Sequence, residues 1–87
     1  MEFNEKVHVF ARSMRGRIEP LQFMFKNQRF QVREIVEARR ESESRRTFFH
    51  FTVNLLPYGV CKLFFELHSG EWFLLHGELP KLHDHIS

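Results

Sequence analysis

Hydrophobic and polar residues alternate along most of this chain with a period of two, which places one side of an extended strand in a core and the other outside. The clearest stretch runs from Arg46 to Glu78. In RTFFHFTVNL the apolar positions are Phe49, Phe51, Val53 and Leu55, while Arg46, His50, Thr52 and Asn54 take even positions. Pro57-Tyr58-Gly59 then supplies a turn. The next run, VCKLFFELH, keeps the register: Cys61, Leu63, Phe65 and Leu67 fall inward, Lys62, Glu66 and His68 outward. Ser69-Gly70 closes a second hairpin into EWFLLHGE.

The first half of the chain predicts three more strands. Lys6 to Arg12 places Val7, Val9 and Ala11 on one face, with Phe3 in register, and Arg12 to Arg17 reads as a flexible basic loop with Gly16 at its positive-φ position. After Pro20, Leu21, Phe23 and Phe25 alternate with Gln22, Met24 and Lys26, and Asn27-Gln28 turns the chain back. In RFQVREIVEAR, Phe30 and Val32 share a face with Val36 and Ala38, interrupted by Glu34. Two readings stay open for residues 32–42. Val32, Ile35, Val36 and Arg39 are spaced for one face of a helix, which would make the domain α+β. The β-branched density favours instead a long bent strand with a bulge near Glu34, which lets Ile35 change face. ESESRR is then a solvated hairpin loop over roughly residues 40–45.

Six strands with short connections predict an all-β domain, a small antiparallel meander curled into an open barrel or half-barrel that hides most of its edges. One domain spans residues 1–79, and residues 80–87 read as an irregular tail. A chain of 87 residues has little interior, and its eleven Phe residues supply most of what must fill it. A single cysteine forms no internal disulfide, and neither a secretory apolar run after Met1 nor a membrane-spanning run is seen, so a cytoplasmic protein is expected.

Charge changes the picture more than composition does. Residues 1–46 carry eleven Lys and Arg against seven Glu, whereas residues 47–87 carry two Lys against four acids. All nine arginines lie between Arg12 and Arg46, and the guanidinium fork suits phosphate or carboxylate. From 33 to 46, Glu34, Glu37, Glu41 and Glu43 alternate with the arginines and read as neutralising them.

Catalytic chemistry is poorly supplied. Cys61 sits on the inward face, without the exposure a nucleophilic thiolate needs. No serine lies in a G-x-S-x-G context, no glycine loop cradles phosphate, and the carboxylates lie among arginines, a setting for ion pairs. His83-x-His85, or His50, His68 and His76 across three paired strands, would bring imidazoles together, but without a Cys pair or an H-E-x-x-H motif no metal or other cofactor is expected.

A family resemblance rests on PLQFMFKNQRFQVREIVE, a charged gap, a Phe-rich strand, and GVCKLFFELHSGEWFLL followed by an acidic residue. Through Phe23, Phe25, Arg29, Phe30, Val32, Ile35, Phe65, Leu67, Trp72 and Leu74, the stretch from residue 20 to 78 resembles a family of small uncharacterised bacterial β-domains. Some of its members occur beside Y-family DNA polymerase-like proteins. Phe25 stands where an indole is common in that family. These are core and turn positions, so the resemblance implies the fold and a bacterial source, and by association alone a link to DNA transactions.

Phe48 and Phe64 fall on the outward side with His50, Thr52, Lys62, Glu66 and His68, and Trp72 adds a further aromatic near them. Three roles are open for this surface: a contact covered by the N-terminal strand, a homodimer or partner interface, or a platform for stacked bases. The expected function is a non-enzymatic binding module. It would contact nucleic acid, or a DNA-processing protein, through a basic edge at Arg15, Arg17, Arg29 and Arg33, with Phe48 and Phe64 as stacking rings. The alternative is a protein-interaction or homo-oligomeric subunit that uses the aromatic face.

Overall fold

Three of the chain's reversals are two-residue hairpin turns with positive φ at both central positions, the geometry that matches the twist of paired strands. They are Arg15-Gly16 (φ 55° and 77°), Lys26-Asn27 (52° and 62°) and Ser44-Arg45 (49° and 71°). Such tight turns leave little loop, so most of the chain is strand. In a computed structural model that describes residues 4–55 and 59–75, these are β1 (Asn4–Met14), β2 (Arg17–Phe25), β3 (Gln28–Gln31), β4 (Glu34–Glu43), β5 (Arg46–Asn54), β6 (Val60–Glu66) and β7 (Glu71–Leu75).

All neighbouring strands are antiparallel, in the order β3-β2-β1-β7-β6-β5-β4. The two edge strands, β3 and β4, are consecutive in sequence and separated only by Val32 and Arg33. That short link bends the sheet into an open half-barrel. The Val32 amide donates to the Leu21 carbonyl on one margin (2.9 Å), and the Arg33 amide donates to the Asn54 carbonyl on the other (2.8 Å).

The concave side holds the core: Phe23 and Phe30, stacked at 5.4 Å, with Phe51, Val53, Leu55, Cys61, Leu63, Trp72 and Leu74. Phe51 and Phe65 pack on the Trp72 indole at 5.6 and 4.7 Å. Aromatic pairs at these distances add to what area alone contributes, which suits a small domain.

The strand reading favoured for residues 32–42 holds from Glu34 onward, and several other expectations need correction. The segment 32–42 is strand and not helix, because Glu34–Glu43 pairs along its length with β5. The long third strand is two strands, which raises the number from six to seven. A bulge does occur, but at Val36, which is 55% exposed and off the inner row, while Ile35 packs against the core. A second bulge, opposite Phe10 and Ala11, rotates Leu21 outward and puts Pro20 in its place.

The proposed loops at 12–17 and 40–45 are strand except for Arg15-Gly16 and Ser44-Arg45. The reversal after β2 sits at Lys26-Asn27, one residue earlier than expected. Leu67 is not inward. It lies in the β6–β7 turn, where its amide donates to the Thr47 carbonyl (3.0 Å) and its side chain is 49% exposed. The Pro57-Tyr58 turn, His76 and the tail lie outside the described residues.

The margins are blunted against strand addition. A two-residue turn makes Met14 and Arg17 a hydrogen-bonded pair, so the alternation of the ladder aims the Ile18 and Pro20 backbone toward the open side of β2. Proline offers no N–H there, and the neighbouring Leu21 carbonyl is already taken by Val32. On β4 the margin carries a bulge and five charged residues between Glu37 and Glu43.

Candidate binding surfaces

Strand direction gathers the arginines at one end of the half-barrel. The turns at Arg15-Gly16, at Ser44-Arg45 and at Leu67–Gly70 all lie at that end, and the β1–β2 and β4–β5 hairpins run past β6 and β7. Arg12, Arg15, Arg17, Arg39, Arg40, Arg45 and Arg46 are there, seven of the nine arginines in the chain. Arg12 is held by Glu19 (2.9 Å) and Arg46 by Glu66 (3.4 Å). Among the described residues the other five make no ion pair. The nearby carboxylates also without one are Glu37 and Glu43, and Glu41 has only a hydrogen bond to His50 at 2.9 Å, which is an ion pair when that imidazole is protonated.

The expected site residues are therefore divided. Arg15 and Arg17 flank the first turn. Arg29, paired with Met24, is seven residues along β2 from Arg17, about 23 Å at the usual strand rise. Arg33 sits at the corner between β3 and β4. Phe48 and Phe64 do come together, stacked at 5.1 Å on the convex face. Phe64 lies three strand spacings from β2 and Phe48 four, roughly 14 and 19 Å around the sheet.

Sequence reasoning missed Phe73, whose ring is 6.1 Å from Phe64 on the same face; Trp72, offered as the extra aromatic there, points into the core instead. His50 meets Phe64 edge-on at 4.8 Å. The resulting band of four rings is half-buried by its own packing. β1 does not cover it, because β1 lies in the sheet beside β7. Phe48 has Glu41 and Glu66 as its direct cross-strand neighbours. That places carboxylates where a nucleic-acid backbone would pass, and suits a protein surface better.

Reasoning from sequence also missed Arg40, since adjacent glutamates made it look neutralised. In a strand, neighbours point to opposite faces. Arg40 lies opposite Phe49 on the concave side, while Arg39 lies opposite His50 on the convex side, in the same row as Glu37 and Glu41. Between β2 and β4 the half-barrel stays open as a cleft of about 550 Å³, lined by Arg17, Ile18, Ile35, Arg39, Arg40 and Phe49 among others.

Among the described residues no three His, Cys, Asp or Glu side chains converge as a metal site would require, and no helix is long and apolar enough to cross a membrane. Comparison with known protein families, with curated proteins and with solved structures finds no match.

Proposed function

We propose that this protein is a non-catalytic module that binds nucleic acid through the arginine-bearing end of its half-barrel. One observation carries the reading: Arg15, Arg17, Arg39, Arg40 and Arg45 share that end without an ion pair among the described residues, against Glu37, Glu41 and Glu43. Arginine is costly to gather without counter-charge, and a polyanion relieves that repulsion while releasing its own condensed ions. Contact with three or four phosphates predicts log K falling linearly with log salt at a slope of about −2 to −3. Anisotropy titrations of labelled oligonucleotides across a salt series measure this slope. The double change Arg15→Gln with Arg39→Gln is expected to flatten it by about 1.4. Binding that ignores salt, or no binding at low salt, removes the proposal.

A second reading has its own support in the convex aromatic band of Phe48, His50, Phe64 and Phe73. Apolar rings left half-exposed on a sheet face suit a protein partner or a second copy of the chain. Sedimentation of the pure protein then reveals a dimer that Phe64→Asp dissociates. A monomer at every loading concentration discards self-association.

A further inference from the structure

The cleft between β2 and β4 combines features that the arginine-rich end lacks elsewhere. Arg40 sits directly opposite Phe49 on the concave face. The Phe49 ring is held from behind by Phe51 at 6.4 Å and Phe65 at 6.2 Å, yet it still lines the cleft. Ile18 and Ile35 complete an apolar wall, and Arg17 and Arg39 stand at the margins. Of the two lining carboxylates, Glu19 is neutralised by Arg12, and Glu37, opposite Thr52, lies in the convex row with Arg39 and not in the row of Arg40. The volume, about 550 Å³, falls within the range of small-ligand sites.

We infer that this cleft seats one unpaired nucleotide of a single-stranded nucleic acid, the base against Phe49 and the phosphate beside Arg40 and Arg17. The inference rests on the nucleic-acid reading above and deepens it by selecting single strands over duplex. A cation beside an aromatic face is the pairing that single-strand binders use, because every base has a π-face and every nucleotide a phosphate. In a duplex both faces of each base are stacked, so no base is free to enter. An extended acidic peptide would match the charge. Strand addition to β2, however, is refused by Pro20, which has no N–H, and by the Leu21 carbonyl, which Val32 already occupies.

The test titrates labelled oligothymidylate and a duplex of equal length against the intact protein and two variants, Phe49→Leu and Arg40→Gln. Thermal melts establish that each variant is folded, and the exposed Arg40 position keeps the test decisive if Phe49→Leu is not. The single strand is expected to bind at least about 10-fold tighter than the duplex. Phe49→Leu is expected to lower single-strand affinity by about 5- to 100-fold and to leave duplex affinity little changed. Arg40→Gln weakens the single strand more than the duplex. Equal affinities for the two forms, with both variants moving them alike, overturn the cleft assignment and leave the broader binding reading standing. Polyglutamate that competes as strongly as oligothymidylate overturns it in favour of a peptide. No salt-dependent binding of either oligonucleotide overturns both.

Discussion

Phe23→Ala is expected to cost this protein about 3–5 kcal/mol, because it opens a cavity in the core and also removes the ring stacked on Phe30 at 5.4 Å. A domain of 87 residues has a total stability of about 4–13 kcal/mol. The variant is therefore unfolded or marginal if the total lies at the low end of that range, and in any case its urea midpoint falls by on the order of 2 M. The informative comparison is Leu21→Ala on the same strand. Simple alternation puts Leu21 and Phe23 in one inward row, but the bulge leaves Leu21 43% exposed, so its truncation is expected to cost less than about 1 kcal/mol. Equal losses at the two positions in urea unfolding would refute the bulge.

The second large effect concerns Cys61. Its side chain has no solvent exposure, and it lies on β6, which is flanked by paired strands on both sides. A thiol reagent reaches such a sulfur only through opening of the sheet. Labelling therefore follows the equilibrium between native and open forms when reclosing is fast. With a stability near 4 kcal/mol at the low end, native Cys61 is expected to react at least about 10³-fold more slowly than in the urea-unfolded chain. Phe23→Ala should erase most of that protection, since both residues report on one core. Native labelling at the unfolded rate would place Cys61 on the surface and dismantle the inner row of β5 and β6.

Much of this architecture was legible in local spacing. Phe49, Phe51, Val53, Cys61 and Leu63 fall on the inner face as their alternation requires, since side-chain direction in a strand follows directly from position. The misplacements share a cause. Counting in twos turns Leu21 and Val36 inward, but a bulge at each shifts the count by one residue. Leu67 extended a correct pattern past the point where the strand ends. At the candidate site the same rule separates sequence neighbours: Arg40 and Glu41 adjoin in sequence but lie on opposite faces, so the glutamate does not screen the arginine beside Phe49.

By itself the sequence determined that this chain is built of antiparallel strands, which residues of most strands face inward, and where the main reversals fall. Those properties depend on neighbours within a few residues. Tertiary structure alone decided that β1 pairs with β7 across most of the chain length, and that β3 and β4 form opposite margins of one sheet although only Val32 and Arg33 separate them. The same pairing carries Arg17 and Arg40 to the two sides of a single cleft. The reason is physical: alternation fixes which way a side chain points, but partner choice depends on how the curled sheet closes over its shared core.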